Sequence, residues 1–184
     1  MAMRKLRHHE QRLLKKVDFL WQREENLREI AILRRYNINN REDYVKYNKL
    51  CGFITKISDR LQKLSPRDPV RISITELLLK KLYHMGLIST TKSLSVCSKL
   101  PASAFCRRRL PVVMVRMKFC ETLTAAVSFI EQGSVRVGPV VVTDPAFLVT
   151  RSMEDYITWT DTSKVRRAVD KYNDKLDDYD LLQA

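Results

Sequence analysis

Acidic residues are missing from the middle of this chain of 184 residues. Between Glu76 and Glu121 there is no aspartate or glutamate. The same stretch holds nine basic residues, namely Lys80, Lys81, Lys92, Lys99, Arg107, Arg108, Arg109, Arg116 and Lys118. A solvated surface usually mixes both signs of charge, and the whole chain carries a net charge of +13. This acid-free window, residues 77–120, favours a polyanionic partner over a merely well-solvated basic protein, with nucleic acid ahead of an acidic membrane surface.

Long apolar runs and catalytic motifs are absent as well. No stretch of about 18 apolar residues exists, so we expect no membrane-spanning helix. The charged residues 1–9 lack the apolar segment of a secretory signal peptide, which points to the cytosol or nucleus. The chain has no Gly-rich phosphate loop and no convincing nucleophile–base pair. We therefore expect neither enzymatic activity nor a cofactor or small-molecule substrate.

Paired cysteine motifs are absent too. None of the four cysteines belongs to a C-x-x-C pair, and the three histidines complete no metal-binding spacing. Each cysteine has apolar neighbours in the sequence, which is typical of buried, reduced thiols rather than of metal ligands or catalytic groups. These residues are Cys51, Cys97, Cys106 and Cys120.

Hydrophobic periodicity predicts that the N-terminal half of the chain is helical. Residues 10–21 place their apolar side chains on one helical face, and residues 26–36 show a shorter helical pattern that ends in Arg34-Arg35-Tyr36. The face of residues 10–21 consists of Leu13, Leu14, Val17, Leu20 and Trp21.

A long helix is predicted next. It begins at the capping-box pattern Asn40–Asp43 and stops at Ser65-Pro66, because the residue before a proline disfavours helical backbone. Apolar residues recur along it at alternating spacings of three and four, namely Tyr47, Leu50, Ile54, Ile57, Leu61 and Leu64. This seam favours packing within the chain, and dimerisation is the alternative.

A further helix is predicted over Leu77–Met85. The pattern Ser73–Glu76 is a second capping box before it, and Gly86 stands where the left-handed residue after a helix is expected. The Ser/Thr-rich residues 87–100 are predicted to be a connection.

From residue 107 to about 160 the pattern predicts a compact unit of two helices and a small sheet. Pro111 suits the first turn of a helix, Thr122 caps a second helix, and Gly133 ends it. The helices are predicted to bury Leu110, Val113, Met114 and Met117, and Leu123, Ala126, Val127 and Ile130.

After Gly133 the apolar period changes to two, which is typical of strands. Residues 134–137 and 140–143 are predicted to form a hairpin around the turn at Gly138-Pro139. Phe147–Thr150 and Tyr156–Trp159 are further strand candidates.

These residues carry a family resemblance. The stretches RRRLPVVMVRMKF, TLTAAVSFIEQGSVRVG and VVVTDP resemble the RNA-binding module of the small-subunit ribosomal protein S4 family. ELLLKKLYHMGLIS and FCRRRL are similar to the helical lead-in of its eukaryotic ribosomal member. The resemblance extends over the whole chain through the stretches HEQRLLKKVDFL, LRRY and VVTDPAFLVTRSMEDYITW. These stretches resemble the ribosome-assembly branch of the family more than a mature ribosomal protein.

The resemblance implies the fold class α+β, with a helical N-terminal half followed by a small S4-like RNA-binding module of two helices and a small antiparallel sheet. We place the helical region at 1–106, the S4-like domain at 107–168 and an acidic C-terminal tail at 169–184. Leu123 and Val127 stand where the family commonly has basic residues, so we expect that helix face to pack against protein rather than RNA.

The resemblance also implies a nucleolar factor of the small-subunit processome, a small nucleolar ribonucleoprotein assembly that processes ribosomal RNA. The implied partners are the U3 small nucleolar RNA, pre-ribosomal RNA, an acidic M-phase phosphoprotein scaffold and a Brix-domain processome protein. The implied activity is to help the U3 RNA pair with its precursor. The alternative is a protein-interaction adaptor that touches RNA only incidentally.

The candidate RNA-binding residues are Arg107, Arg108, Arg109, Arg116, Lys118 and Arg136. The apolar helix after the three arginines is expected to hold their guanidinium groups on a rigid, exposed frame, where they can grip phosphate oxygens. The alternative for the three arginines is a solvated helix start paired with the acidic tail. For Arg136 it is a solvent-facing hairpin residue.

Secondary candidates are the pairs Arg34-Arg35 and Lys80-Lys81, which we expect to be solvated. The tyrosines could stack on RNA bases, but their helical spacing favours packing within the protein or at an interface. These are Tyr36, Tyr44 and Tyr47.

Overall fold

The computed structural model describes residues 7–11 and 19–175, and the chain divides after Arg35 into two units. The first unit contains helix α1, Phe19–Arg35, which confirms the helix predicted within residues 26–36. The apolar face predicted for residues 10–21 lies outside the described side chains. All other elements given below belong to the second unit.

Helix α2 spans Arg41–Lys63, and Asn40 is its N-cap residue. The long helix is therefore confirmed, but the predicted seam is buried on only one side. Its buried residues are Tyr47, Cys51, Ser58 and Leu61, whereas the seam residues Leu50, Ile57 and Leu64 are exposed. Small residues on the buried face allow the segment around Leu94 to approach α2 closely. The Ser58 hydroxyl donates to the Leu94 carbonyl at 3.3 Å.

Helix α3 spans Pro69–His84, so the predicted start at Leu77 is wrong by eight residues. The Asp68 carboxylate accepts a hydrogen bond from the Val70 amide at 2.9 Å, and Pro69 fills the first turn, where its missing N–H costs nothing. The predicted end is confirmed. Gly86 has φ of +73°, and two backbone bonds close the turn around it, from Gly86 to Tyr83 and from Leu87 to Leu82.

The connection after α3 contains two short helices, α4 at Ser95–Ser98 and α5 at Ala102–Cys106. Both pack against α2. The Tyr47 and Phe105 rings stack with centroids 5.6 Å apart. Cys97 and Cys106 are fully buried in this region, which confirms the prediction of buried free thiols for them.

The S4-like part has its own apolar core. Helix α6, Leu110–Arg116, and helix α7, Leu123–Glu131, pack against each other and share one core with residues of the sheet. The Thr122 hydroxyl accepts a bond from the Ala125 amide, so the predicted cap is confirmed. The core consists of Leu110, Val113, Met114, Ala126, Ile130, Val135, Val142, Val149 and Ile157.

The sheet has three antiparallel strands in the order β2-β1-β3. Strands β1, Val135–Val137, and β2, Val140–Val141, form the predicted hairpin. Strand β3 is Ile157–Trp159, and it pairs with β1 so that Arg136 lies opposite Thr158. The fold class predicted from the sequence, α+β with a small antiparallel sheet, is thereby confirmed.

The segment between β2 and β3 differs from the prediction. Residues 147–150 form no strand and make a single bridge, between Leu148 and Arg109. A 3-10 helix, Arg151–Tyr156, follows them. Beyond β3 lies helix α8, Lys164–Tyr172, which runs through the start of the predicted acidic tail. The rest of that tail, from residue 176, is outside the described residues, and the domain boundaries placed at 106 and 168 stay predictions.

Among the described helices, none combines the length and the hydropathy that crossing a membrane requires.

Candidate nucleic-acid interface

The Arg108 side chain is buried inside the second unit, with 4% of its surface exposed. Its Nε and Nη2 both donate to the Val149 carbonyl, at 2.9 and 2.6 Å. Its Nη1 forms an ion pair with Glu154. The guanidinium lies directly beneath Gly86, since a Cβ built on that glycine would come within 2.8 Å of Arg108 Cζ. Arg108 therefore joins the end of α3 to the segment before β3.

Arg109, which precedes α6, is 3% exposed. Its Nη1 pairs with the Asp43 carboxylate of α2 at 3.1 Å and donates to the Tyr47 hydroxyl at 3.4 Å. Its Nε is buried and has no hydrogen-bond partner among the described residues. Burial raises the pKa of the Tyr47 hydroxyl, although the Arg109 charge and hydrogen bond act in the opposite direction. Tyr47 is thus a neutral partner for the guanidinium.

A third arginine, Arg151, joins the same two segments as Arg108, the end of α3 and the segment before β3. The Nε and Nη2 of Arg151 donate to the carbonyls of Tyr83 and Ile88, both at 2.9 Å. Its guanidinium also lies over the Tyr83 ring, 4.2 Å from the centroid. A cation at this place is favourable, because the carbonyls at the C-terminal end of a helix carry partial negative charge. Arg151 therefore caps α3 with a side chain from the S4-like part.

The prediction that all three arginines at 107–109 are exposed is wrong for Arg108 and Arg109. Both side chains are used to join parts of the protein. The alternative, pairing with the acidic tail, does not hold for them either, because their carboxylate partners are Asp43 and Glu154. Burying a guanidinium without such a partner would be very unfavourable. Whether any of the six candidate residues binds RNA is a separate question that stays a prediction.

Glu154 is the carboxylate on which two arginines meet. Besides Arg108, it accepts Arg116 Nη2 at 2.7 Å. Partial burial by itself raises the pKa of Glu154, but the hydrogen bonds and charges of both arginines outweigh burial, so the pKa lies below its usual value. Glu154 is therefore ionised at neutral pH and holds one guanidinium in the interior and one at the surface.

Arg107 remains exposed, and its Nε donates to the Tyr36 hydroxyl at 3.4 Å. It lines a groove of about 460 Å³ together with Lys99 and three serines, Ser89, Ser95 and Ser103. None of the described residues that line this groove is acidic. The groove therefore presents two cations and three hydroxyl groups with no carboxylate among them.

The acid-free window supplies further exposed cations. Four of its nine basic residues pair with carboxylates from outside the window, namely Lys80, Arg108, Arg109 and Arg116. The other five are exposed and form no ion pair with another described residue: Lys81, Lys92, Lys99, Arg107 and Lys118. These five residues, the free-cation set, carry positive charge that nothing in the described part of the chain neutralises.

Lys118 adopts an unusual backbone conformation. It follows α6 with φ of +64°, in the left-handed region that favours glycine. The bonds from Lys118 to Val115 and from Phe119 to Met114 close the same type of turn that ends α3 at a glycine. The lysine costs stability at this position relative to glycine. Such a residue is a candidate for a function that requires its side chain.

Arg136 lies on β1 with its side chain 33% exposed. Its Nε donates to the Thr158 hydroxyl and its Nη1 to the Asp161 carboxylate, both at 3.0 Å. It is therefore neither buried like Arg108 nor free like Lys118. The alternative predicted for Arg136, a plain solvent-facing residue, omits these two contacts.

Comparisons with known proteins agree with this architecture. Residues 5–107 match the ribosomal protein S4/S9 N-terminal domain, and residues 108–155 match the S4 domain. A mouse protein named U3 small nucleolar ribonucleoprotein protein IMP3 is 53% identical over 181 residues, which are 97% of this chain and 98% of the relative. The chain belongs to the IMP3 family, within the wider ribosomal protein S4 family. IMP3 of Saccharomyces cerevisiae is 52% identical over 97% of this chain and 99% of its own length.

The IMP3 resemblance is much closer than that to ribosomal proteins. The small ribosomal subunit protein uS4 of Picrophilus torridus is 31% identical over 144 residues, covering 78% of this chain and 79% of the relative. In this IMP3 family member, the junction between the two matched domains falls between Arg107 and Arg108. The buried arginines therefore join the two domains, and the exposed one stands at their junction.

Several residues of the site were missed by sequence reasoning. Asp43, Arg151 and Glu154 stand 66, 68 and 46 positions from their partners. One sequence gives no signal for pairs this far apart. Leu123 and Val127, expected to pack against a partner protein, are half-buried and buried within the chain itself. Tyr36 and Tyr47 are buried, which confirms for both the prediction that they pack within the protein rather than stack on bases.

No group of three or more possible metal ligands occurs within residues 7–11 and 19–175.

Proposed function

We propose that this chain is an RNA-binding ribosome-biogenesis factor that helps the U3 small nucleolar RNA pair with pre-ribosomal RNA. The observation that carries the proposal is its similarity, over nearly the full length, to proteins named as components of the U3 small nucleolar ribonucleoprotein. The match to the S4 domain and the unpaired free-cation set support it. The chain would act in the nucleolus, as part of the small-subunit processome.

The proposed mechanism is electrostatic. Two RNA strands repel each other, and cations held between them screen that repulsion, which lowers the barrier to pairing. Phosphate contacts supply affinity and position but little sequence preference. Sequence specificity would then come from base pairing between the two RNAs, and the protein would need only to hold both strands together.

We assign the six candidate residues to two roles. Arg108 and Arg109 form internal ion pairs, so we assign them to holding the frame. Arg107, Arg116, Lys118 and Arg136 retain exposed surface and are the proposed phosphate contacts. Lys99, which shares the groove of Arg107, joins them. An internal arginine frame reduces the flexibility lost on binding, because the backbone that carries the contact residues is already ordered.

The test compares two triple variants of equal charge. Lys99→Gln/Arg107→Gln/Lys118→Gln removes three proposed contacts. Lys49→Gln/Lys56→Gln/Lys63→Gln removes three exposed lysines of α2 and serves as the matched control. Fragments of the U3 RNA and its pre-ribosomal target, labelled for fluorescence transfer, report both binding and the rate of pairing.

If three phosphate contacts are lost, the negative slope of log K against log salt should become shallower by about 2, since each contact on single strands contributes about −0.7 to the slope. The pairing rate should fall in parallel, whereas the α2 control should change neither quantity by as much. A wild-type protein with a flat salt response, or equal effects of both triple variants, would refute the proposal.

A second candidate function is that of a protein-interaction adaptor. Large apolar side chains are exposed along helices α2 and α3 and at the C-cap of α2, namely Leu50, Phe53, Ile57, Leu64, Val70, Ile72, Ile74 and Leu77. Exposed apolar surface of this kind is typical of protein-binding sites. The acidic M-phase phosphoprotein scaffold and the Brix-domain processome protein are the proposed partners of these faces.

The two functions make different demands on variants. Phe53→Ser/Leu77→Ser should weaken incorporation into the processome without altering the salt slope for RNA. The Lys99/Arg107/Lys118 variant should do the reverse. If the apolar variant leaves incorporation intact while the basic variant abolishes it with no change in RNA crosslinks, the adaptor role lies on the basic surface and the RNA-binding proposal fails.

A further inference from the structure

A second groove lies between the sheet and helix α8. It has a volume of about 270 Å³ and is lined by Phe119, Arg136, Ile157, Thr158, Trp159, Arg166, Val169 and Asp170. Two arginines and two aromatic residues therefore border one concave surface at the edge of β3. Basic groups together with aromatic rings are the usual composition of a surface that binds single-stranded nucleic acid, because every base has a face that can stack.

The tryptophan in this groove is held in a fixed orientation. The Phe119 and Phe129 rings both form T-shaped pairs with Trp159, with centroids 5.8 and 5.5 Å from its own. Edge-to-face contacts of this kind are favourable. Trp159 is nevertheless only half-buried. A base that stacks on it would meet a ring whose position is already set.

The two arginines of the groove are occupied by carboxylates. Asp161 accepts Arg136 Nη1 at 3.0 Å and also pairs with Arg166. Arg166 Nε lies 3.4 Å from Asp170. Asp161 is 65% exposed, and ion pairs this exposed contribute only about 0–1 kcal/mol. Phosphate oxygens can therefore replace these carboxylates at little cost.

Helix α8, which carries Arg166 and Asp170, is held only lightly. It has no buried residue. Val169 and Tyr172, on its apolar side, are 43% and 89% exposed. A helix with so little buried apolar surface can shift or detach without a large loss of stability.

We propose that this groove binds single-stranded RNA, with Arg136 and Arg166 on the phosphates and a base on Trp159, and that Asp161 and Asp170 occupy it in the free protein. The carboxylates stand where the phosphates bind, and α8 moves aside when RNA enters. The inference rests on the RNA-binding function proposed above and adds to it a second contact site, separate from the groove of Arg107.

The test uses the full chain with Trp21→Phe, which leaves Trp159 as the sole tryptophan, and a twelve-nucleotide uridine oligomer as the probe. We expect the oligomer to quench Trp159 fluorescence. Arg136→Gln/Arg166→Gln should weaken binding about tenfold and remove the quenching. Lys49→Gln/Lys56→Gln, which removes the same charge from α2, should preserve it.

The aspartates supply the sharper test. If they compete with phosphate, Asp161→Asn strengthens oligomer binding about three- to tenfold, and Asp170→Asn does so to a smaller extent. Purely structural ion pairs predict unchanged or weaker binding in both. Thermal unfolding of each variant shows whether it remains folded. If Asp161→Asn does not remain folded, Asp170→Asn still decides the test.

The outcomes separate the two proposals. Wild-type protein that shows no salt-dependent RNA binding refutes the proposed function. Binding that is lost in the Lys99/Arg107/Lys118 variant but unaffected by Arg136→Gln/Arg166→Gln overturns the groove alone. Quenching of Trp159 by a decaglutamate peptide but not by the uridine oligomer also overturns it, because the groove would then take an acidic peptide.

Discussion

Replacing Gly86 by alanine tests whether Arg108 joins the two matched domains. Gly86 has φ of +73°, so any side chain there costs about 1–2 kcal/mol in backbone strain. The added Cβ would also lie 2.8–2.9 Å from three atoms of the Arg108 guanidinium, closer than normal contact allows. The guanidinium must therefore move, although it is buried and bonded to Val149 and Glu154.

The displacement of Arg108 should dominate the effect. Hydrogen bonds to charged groups contribute about 1.5–3 kcal/mol each, and a partial loss of those made by Arg108 adds about 2–3 kcal/mol to the strain. We expect Gly86→Ala to lower the free energy of unfolding by about 3–5 kcal/mol, measured by urea denaturation. A loss of this size is large against a typical total stability of about 5–15 kcal/mol.

Gly138 provides the matched control. It has φ of +61° in the turn between β1 and β2, and an added Cβ would meet no atom within 4 Å. Gly138→Ala should therefore cost only the backbone strain, about 1–2 kcal/mol. In an Arg108→Ala background the cost of Gly86→Ala should fall to the same value. Equal costs for the two glycines in the otherwise wild-type protein would refute the structural role given to Arg108.

Three further predictions concern acid stability, backbone strain and thiol reactivity. The depressed pKa of Glu154 stabilises the folded protein above the ordinary glutamate pKa of about 4.3, and this stabilisation is lost as pH falls through the folded-state pKa. In the variant Glu154→Gln, the free energy of unfolding should therefore fall less steeply below about pH 4. At pH 7 the same variant should lose roughly 1–2 kcal/mol of unfolding free energy. Lys118→Gly should raise thermal stability by up to about 1 kcal/mol while weakening RNA binding, and a variant that is both more stable and equally good at binding would argue against a role for this lysine. Burial raises the pKa of Cys106 to about 11, so a thiol reagent at pH 8 should modify the half-buried Cys120 first; early loss of Cys106 in a mass-mapped time course would contradict its burial.

The sequence was sufficient where local rules decide the structure. Local rules predicted the Thr122 cap, the turns at Gly86 and Gly138, and the burial of Leu110, Val113 and Met114, and the structure has all of these. The fourth residue of the predicted stripe, Met117, follows α6 and is half-buried. The predicted burial of the α2 seam was wrong for one side of the helix, because hydrophobic periodicity alone does not show which side another segment covers. Small residues at Cys51 and Ser58 allow that segment to approach there, and small residues do not stand out in an apolar pattern.

The arginine cluster shows what periodicity cannot provide. Three consecutive basic residues look alike in a sequence, yet Arg107 is exposed while Arg108 and Arg109 are buried. Their burial depends on Asp43 and Glu154, which lie 66 and 46 positions away. Charge density therefore indicated the kind of partner but not which guanidinium groups remain free to meet it.

The join between the two matched domains limits how this protein can be taken apart. Cutting before residue 108 would leave the S4 half with the guanidiniums of Arg109 and Arg151 separated from Asp43, Tyr83 and Ile88. The helical half would keep Asp43 without its buried arginine partner, with the exposed Lys46 at 4.0 Å from its carboxylate. A chimera that joins the S4 half to a foreign helical scaffold must therefore include the residues on both sides of these contacts. The two halves can be exchanged only together and not as separate modules.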